Sequence, residues 1–349
     1  MAYLQTCRLL LAKNLLTETN LPVLTVAMSA GFGSLRRFND LFKKHYKLSP
    51  TALRRSAPEG RTGVTVALGY RPPYRFEEML RFLAGRAIPG VEVVRKGEYR
   101  RTVRLDNLYG WLRVGHRPQK NVLTVTVSEM LLPLLPRVLA RVKCLFDLYC
   151  DPEAVYEVLL PMNEIRPGLC RLGTRVPGCF DHFETAVRAV LGQQITVKAA
   201  STLAERLVKA YGGYVETGAE GLNRSFPRPE DILALEGPIE THLGPLGIIS
   251  ARAKTIYALA QAFVYGEIDF GSCARPEKEM KKLLALPGIG PWTAQYIAMR
   301  TMEWPDAFLE TDAGVKRALL PYKSKELLQM AEAWRPWRSY ATLNLWNSL

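Results

Sequence analysis

The sequence predicts a multidomain protein with a helical helix-turn-helix segment, a small antiparallel α+β domain and an all-α domain containing a helix–hairpin–helix. Three observations support this fold class. The pattern changes from helical to strand-like after residue 63, and it is helical again from about residue 131 onward. A glycine turn, Leu286-Pro-Gly-Ile-Gly-Pro-Trp292, lies between two of the later helical patterns. The predicted regions are residues 1–55 (helix-turn-helix segment), 56–63 (linker), 64–130 (α+β domain) and 131–349 (all-α domain).

The first region contains only helical patterns. Gly31-Phe-Gly33 breaks an apolar segment, and Ser34 can cap the helix that follows. Residues 1–62 hold ten Lys or Arg against three Asp or Glu, and the second helix has a basic face. This pattern fits a helix-turn-helix or a solvated basic helix about equally. On the first interpretation the DNA-contacting residues are Ser34, Arg36, Arg37 and Asn39.

The second region follows a linker rich in turn-forming residues, 56–63. One helix, Phe76–Leu83, is predicted among β-type runs, several of which alternate with period two. The predicted strands are Val64–Tyr70, Val91–Arg95, Tyr99–Leu105, Gly110–Val114 and Val122–Val127. Strands with few helices between them indicate an antiparallel sheet.

The third region is predicted to be helical throughout, with short loops that often contain Pro or Gly. The predicted helices are 134–148, 152–160, 180–191, 196–211, 250–265, 276–285, 292–301, 313–320, 325–334 and 339–347.

Composition points to a nucleic-acid partner and an intracellular location. The net charge is +14, which favours a polyanionic ligand. The six cysteines and four histidines show no spacing typical of a zinc site or a disulfide framework, so we expect reduced, mostly buried thiols. No apolar run reaches the length of a membrane span, and we expect a cytoplasmic protein without a cofactor.

The glycine turn is the clearest functional motif. Gly288 and Gly290 allow a tight turn, and the helix that follows directs free N–H groups at its start outward, where a phosphate can bind. We therefore expect Leu286, Gly288, Ile289 and Gly290 to contact a DNA phosphate. Asp312 follows twenty residues after Trp292 and is either a helix N-cap or a catalytic acid.

Several ordered motifs together resemble the 3-methyladenine DNA glycosylase II family of helix–hairpin–helix base-excision enzymes. The motifs are Leu284–Lys316, Trp334–Ala341, Tyr70–Arg75 with Phe82, and Phe183–Gln193. They extend from about residue 64 to the C-terminus.

The resemblance implies that Asp312 is the catalytic carboxylate. Cleavage of an N-glycosidic bond develops positive charge on the sugar, which a carboxylate stabilises while it orients the attacking water. The resemblance also implies a pocket for a flipped base, lined by Trp292, Tyr296, Trp346 and Phe82. Aromatic walls suit the cationic ring of a 3-methyladenine or 7-methylguanine type base, at about 0.5–2 kcal/mol per contact. The implied partner is double-stranded DNA with alkylated bases, bound by a monomer.

Three further features refine this interpretation. Related enzymes with lyase activity place a lysine where this chain has Trp292, so the resemblance implies a monofunctional hydrolase. At the position of an apolar wedge the chain has Gln194, after Gln193, and these two are the wedge candidates. The carbonyls of Leu284, Leu286 and Gly288 resemble a monovalent-cation site.

Residues 5–55 resemble the C-terminal half of an AraC-type DNA-binding domain, through Ala27–Phe38 and Tyr46–Arg54. A full domain has two helix-turn-helix units, and only the second is present. The arrangement resembles adaptive-response methyltransferase regulators fused to a glycosylase. It leaves an alternative function open: a transcriptional regulator of the alkylation response whose C-terminal region binds damaged DNA without catalysis. A glycosylase for oxidised or deaminated bases is the other alternative.

Overall fold

A computed structural model describes residues 2–19, 21–53, 63–271 and 275–349. The predicted linker, residues 56–63, lies outside the described residues except for Gly63, which begins the first strand.

The N-terminal region is a bundle of short helices, as predicted. Its helices are α1 (Ala2–Glu18), α2 (Val23–Ser29), α3 (Leu35–Tyr46) and α4 (Pro50–Leu53). The Ser34 side chain accepts a hydrogen bond from the Arg37 backbone N–H and caps α3. Phe38 and Phe42 fill the interior, which leaves the basic face of α3 exposed. The helix-turn-helix prediction is confirmed.

The next region is an antiparallel sheet with one helix against it, also as predicted. Its elements are β1 (Gly63–Gly69), α5 (Phe76–Ala84), β2 (Glu92–Arg95), β3 (Glu98–Leu105), β4 (Leu108–Arg117) and β5 (Val122–Ser128). The strand order is β1-β5-β4-β3-β2, and every neighbouring pair is antiparallel. β1 is therefore an edge strand.

The N-terminal helices pack on this edge of the sheet. α1 contacts β1, and α2 contacts the 3-10 turn Glu129–Leu134 that follows β5. The buried apolar residues of the bundle and of the sheet form one continuous cluster. Since burial of apolar surface contributes roughly 25 cal/mol per Å², this shared core fixes the bundle on the sheet.

The rest of the described chain is helical. Its helices are α6 (Leu135–Leu145), α7 (Pro152–Leu159), α8 (Met162–Ile165), α9 (His182–Leu191), α10 (Val197–Tyr211), α11 (Pro229–Leu233), α12 (Ile239–Leu243), α13 (Ser250–Val264), α14 (Pro276–Ala285), α15 (Pro291–Thr301), α16 (Ala313–Ala318), α17 (Ser324–Glu332) and α18 (Arg338–Asn347). The ten predicted helices are all found, while the short α8, α11 and α12 were not predicted. A second apolar cluster is built mainly from α9 to α15.

Buried ion pairs connect the sheet to α9. Arg101 on β3 lies 2.7 Å from Glu184, and Arg188 lies 2.8 Å from Glu92 and 2.9 Å from Glu184. All four side chains are largely removed from solvent, so each charge depends on its partners. Glu184 and Arg188 belong to the Phe183–Gln193 motif, and they fix the position of α9.

The cysteines agree with the prediction of free, mostly buried thiols where the structure describes them. Cys150, Cys170 and Cys179 are buried, whereas Cys144 is partly exposed and Cys7 exposed, and all five are free. Cys273 lies outside the described residues. Among the helices that the structure describes, none is long and apolar enough to cross a membrane.

Candidate active site

The predicted hairpin joins α14 to α15. Gly288 has a φ of +80°, and a Cβ at this position would lie 2.1 Å from Thr255 Oγ1, so only glycine fits. Gly290 has a φ of −92°, and a Cβ there would meet nothing within 4 Å. The second glycine therefore keeps the surface open instead of providing an unusual dihedral. Ile289, between them, is buried and anchors the turn.

The start of α15 can accept an anion. Gly290 is its N-cap, and no side chain caps the helix. Pro291 occupies the first helical position and has no N–H group of its own. The N–H groups of the first turn therefore point to the open surface above Gly290, where a phosphate oxygen can accept hydrogen bonds from them.

Asp312 is held by four N–H donors. Its Oδ1 accepts hydrogen bonds from the Gly314 and Val315 backbone N–H groups, at 2.8 and 3.0 Å, and from Trp346 Nε1 at 2.9 Å. Its Oδ2 accepts one, from Trp292 Nε1 at 3.1 Å. All four contacts suit a carboxylate anion, and Oδ2 keeps the larger unused acceptor capacity.

Both readings of Asp312 from the sequence are therefore compatible with the structure. The residue is the N-cap of α16, and it also lines a large cavity. Capping alone requires only the contacts to Gly314 and Val315. The two indole donors come from α15 and α18, and they fix the carboxylate at the cavity wall.

The cavity has a volume of about 420 Å³ and is lined by all four predicted pocket aromatics and Asp312. The rings of Trp292 and Tyr296 are stacked, with centroids 5.3 Å apart and planes 13° apart. Those of Phe82 and Trp346 are also stacked, at 6.3 Å and 20°. A cavity of this size and lining is suited to a flat ring.

Two arginines of the same cavity were not predicted. Arg300 donates to the Tyr296 hydroxyl at 2.7 Å and to the Gly178 carbonyl at 2.9 Å, and the Arg86 guanidinium lies 3.6 Å from the Phe82 ring centroid. Burial raises the pKa of Tyr296, but the Arg300 and Arg86 guanidiniums outweigh it, and the pKa is lowered. The Phe82 and Tyr296 rings therefore already have cations of the protein beside them, which leaves Trp292 and Trp346 as the walls for a cationic base.

The sequence contained a pattern for one of these arginines. Arg300 follows Tyr296 by four residues within α15, and residues four apart lie on the same face of a helix. Arg86 lies in the turn after α5, where helical spacing does not apply, so only the structure shows that it lies beside Phe82.

The two wedge candidates have different environments. The Gln193 amide donates to the Gly288 carbonyl and to Thr293 Oγ1, both at 2.9 Å, which ties this residue to the hairpin. Gln194 is exposed with a φ of +54°, between α9 and α10. Of the two side chains, that of Gln194 projects from the protein beside the cavity mouth, where Gly192 and Ile195 line the wall.

The carbonyls of the suggested cation site are partly engaged. Leu286 O accepts the Ile289 N–H at 3.3 Å, and Gly288 O accepts the Gln193 amide. Each carbonyl oxygen has a second lone pair, so these hydrogen bonds do not use its full acceptor capacity. The described residues contain no group of three or more His, Cys, Asp or Glu that could hold a metal ion.

The candidate DNA-contacting residues of the N-terminal region lie outside this site. Ser34, Arg36, Arg37 and Asn39 are exposed on or beside α3, in the bundle on the edge of the sheet. Any contact that they make with DNA is separate from the cavity.

Comparison with known proteins identifies the class. Residues 187–334 match the HhH-GPD superfamily of base excision DNA repair proteins, residues 65–181 the AlkA N-terminal domain, and residues 1–56 a helix-turn-helix domain. A 3-methyladenine DNA glycosylase from Archaeoglobus fulgidus shares the fold, with a TM-score of 0.65 and 22% identity over 80% of this chain and 97% of that one. So does an 8-oxoguanine glycosylase/lyase from Clostridium acetobutylicum bound to DNA (TM-score 0.62, 16% identity, 83% and 96% covered). The fold is that of the helix–hairpin–helix glycosylases.

Relatives of higher identity define the family. The chain is 39% identical, over 98% of its length and 70% of the other, to a probable bifunctional transcriptional activator/DNA repair enzyme AlkA of Mycobacterium tuberculosis. It is 35% identical to DNA-3-methyladenine glycosylase 2 of Escherichia coli, over 80% of this chain and 95% of that protein. The chain belongs to the AlkA family of DNA-3-methyladenine glycosylases, as the motifs predicted.

Proposed function

We propose that this protein is a monofunctional DNA glycosylase that hydrolyses the N-glycosidic bond of alkylated purines of the 3-methyladenine and 7-methylguanine type in duplex DNA. The observation that carries the proposal is the position of Asp312, at the wall of an aromatic cavity beside the hairpin. A protein that only senses damage needs the aromatic walls but not the carboxylate.

Asp312 would act on the sugar. As the glycosidic bond breaks, positive charge develops on the deoxyribose, and a carboxylate close to it lowers the barrier. The less engaged oxygen, Oδ2, can accept a hydrogen bond from the attacking water and take its proton. The indoles of Trp292 and Trp346 would keep the carboxylate in this orientation throughout the reaction.

The base would leave between aromatic rings. An alkylated purine departs as a neutral molecule, so no strong general acid is required. The base would stack on Trp292 and Trp346, while Arg86 and Arg300 hold Phe82 and Tyr296 in place. Trp292 also occupies the position where a lyase would carry its lysine.

The DNA would be bound around the cavity mouth. The first turn of α15 would bind a phosphate, and a monovalent cation on the carbonyls of Leu284, Leu286 and Gly288 would add positive charge there. Gln194 would fill the gap that the flipped base leaves, with Gln193 securing the loop to the hairpin.

The test is base release by Asp312→Asn. With methylated duplex DNA under single-turnover conditions, we expect the release rate to fall by about 100-fold or more, as for loss of a catalytic base. DNA affinity should change little, because the substitution leaves the rings and the hairpin intact. Glu310→Gln, a carboxylate-to-amide change two residues away, is the matched control and should retain the wild-type rate. Equal release by the wild type and Asp312→Asn would show that the assignment is wrong.

Substrate class is tested in the same assay. From duplexes with 3-methyladenine, 7-methylguanine or 8-oxoguanine, the two alkylated bases should be released faster than 8-oxoguanine. A preference for 8-oxoguanine would contradict the argument from cationic bases.

A second function concerns the N-terminal bundle, since the Mycobacterium tuberculosis relative is described as a transcriptional activator as well as a repair enzyme. We propose that α3 contacts DNA phosphates with Arg36 and Arg37, which are both exposed. Each phosphate contact contributes about 0.9 to the slope of log affinity against log salt. The double variant Arg36→Gln/Arg37→Gln should therefore bind undamaged duplex DNA with a slope reduced by up to about 2, and base release from saturated enzyme should not change. An unchanged slope would mean that α3 is a solvated basic helix.

A further inference from the structure

A second cavity, of about 410 Å³, lies between the sheet and the helical region and has no role in the proposed reaction. It is formed where the end of β3, one side of α6, the start of α9 and the loop before α11 meet. It shares Arg101, Phe180 and Glu184 with the base pocket, so these residues form a wall between the two cavities. Its volume is in the range of about 300–1,000 Å³ typical of small-molecule sites.

Arginines dominate the lining of this second cavity. Five guanidinium groups and four carboxylates line it, and each guanidinium is paired with a carboxylate of the lining or directly behind it. The five arginines are Arg101, Arg104, Arg137, Arg141 and Arg228. An arginine presents several N–H donors in one plane, a geometry that matches the oxygens of a phosphate or carboxylate.

Two of these arginines have unused donors inside the protein. Arg104 gives one N–H to Asp231 at 2.7 Å, and its side chain is only 12% exposed. Across the residues that the structure describes, Arg104 Nε and Arg228 Nε are buried and have no hydrogen-bond acceptor. A buried donor without an acceptor costs about 1–3 kcal/mol, so a bound anion that accepts from these atoms is stabilised.

The rim of the cavity can open to a competing anion. Arg137 and Asp106 form a 2.6 Å ion pair in which both side chains are more than half exposed. The contact from Arg141 to Asp181 is longer, at 3.4 Å. Exposed pairs contribute about 0–1 kcal/mol, so a doubly charged group can displace the carboxylates from these arginines.

The cavity also has an apolar part. Phe226 and Phe263 line it, and Phe263 packs edge-on against Phe183 with centroids 5.4 Å apart. A flat ring can lie on these side chains while an attached anion reaches the guanidiniums. The lining therefore combines a phosphate-like subsite with a ring subsite.

We propose that the second cavity binds a small phosphate monoester that carries a flat ring, of the nucleoside monophosphate class. The phosphate accepts hydrogen bonds from Arg104 and Arg228, and the ring contacts Phe226 and Phe263. The site is distinct from the DNA surface: it lies at the N-terminal end of α9, whereas Gln194 follows the C-terminal end. Ten helical residues separate these ends by about 15 Å.

The experiment is calorimetric titration of the full chain with AMP, with adenosine and inorganic phosphate as separate titrants. We expect one site for AMP, and weaker binding of each of the other two because each fills only one subsite. Arg104→Gln and Arg228→Gln should each weaken AMP binding by at least about tenfold, given the strength of hydrogen bonds to a charged group. Arg95→Gln is the matched control, since Arg95 is exposed and pairs with Glu220 outside the cavity.

The folding of the variants and the location of the AMP site are checked on the same samples. Base release of the three variants should equal that of the wild type. Thermal unfolding shows whether Arg104→Gln, which loses its ion pair with Asp231, stays folded. If it does not, Arg228→Gln carries the test, because the Arg228 side chain is 41% exposed. The proposal is wrong if AMP shows no saturable binding up to about 5 mM, a level set by the weakest useful affinity. It is equally wrong if Arg95→Gln weakens AMP binding as much as Arg104→Gln and Arg228→Gln do. Loss of AMP binding in Trp292→Ala but not in Arg104→Gln, or displacement of AMP by undamaged duplex DNA, would also contradict it.

Discussion

Asp312 and Asp147 are two aspartates held within the helical region, and their surroundings differ in a way that separates a reactive site from a structural one. Asp312 accepts hydrogen bonds from four N–H groups and faces a cavity of about 420 Å³. Asp147 lies beside a cavity of only about 20 Å³. A substrate can reach the first carboxylate and cannot reach the second.

Burial of Asp147 favours its neutral form. Its Oδ2 accepts a hydrogen bond from the Val176 N–H at 3.0 Å and its Oδ1 accepts one from the Tyr340 hydroxyl at 3.2 Å, and both hydrogen bonds lower the pKa without offsetting the burial. The pKa of Asp147 is raised to about 7, mainly by burial and to a smaller extent by Glu303, while Arg175 opposes the shift. A carboxylate at the wall of an open cavity is available for chemistry, whereas burial makes Asp147 a pH-dependent element of stability.

The largest expected effect is on the stability of Asp147→Asn. In the unfolded chain the pKa is about 3.8, and in the folded protein about 7, so the stability contributed by the protonated carboxyl is present below pH 3.8 and lost as the pH rises through 7. Since one pKa unit corresponds to about 1.4 kcal/mol, the variant should gain about 2–4 kcal/mol relative to wild type between pH 4 and pH 7.5. Urea unfolding across this pH range measures the difference.

Asp40→Asn on the exposed face of α3 is the matched control for the substitution. If the stability difference between Asp147→Asn and wild type changes with pH no more than that of the control, Asp147 is ionised in the folded protein and its burial does not set its pKa.

The next effect is on catalysis, through the donors to Asp312. Trp292→Phe and Trp346→Phe each keep an aromatic wall but remove one N–H donor to the carboxylate. A hydrogen bond to a charged group contributes about 1.5–3 kcal/mol, so each variant should lower the single-turnover rate by at least about tenfold. Trp337→Phe, a tryptophan outside the base pocket, should retain the rate. Unchanged rates in both pocket variants would mean that the helix N-cap alone orients Asp312.

The smallest effect concerns the space around Asp312. A Cβ on Gly314 would lie 2.9 Å from Trp346 Cδ1 and 3.0 Å from Asp312 Oδ1, so Gly314→Ala should displace the indole. We expect the rate to fall by about three- to tenfold, which corresponds to about 1 kcal/mol. Gly244→Ala, where a Cβ meets nothing within 4 Å, is the control. A full rate in Gly314→Ala would show that the position of Trp346 is not critical.

Much of the fold could be predicted because local sequence patterns determine its helices and strands. The ten long helices, the five strands and the Ser34 cap all follow from periodicity and capping residues. The short α8, α11 and α12 span four or five residues each, which is too few for a periodic pattern to be recognised. The motifs likewise identified Asp312 and its four aromatic neighbours as one site, and the structure brings these five residues to one cavity.

The kind of protein follows from the amino-acid sequence alone: the order of its regions, the hairpin, and the acid and rings beside it. The electrostatics depend on the tertiary structure, because burial and distance set the pKa values and ion pairs. Asp147 and Asp312 are the same residue type. The local sequence does not show that Asp147 is buried with a raised pKa, or that Asp312 accepts hydrogen bonds from two indoles. The second cavity, behind Arg101 and Glu184, exists only where separate elements meet.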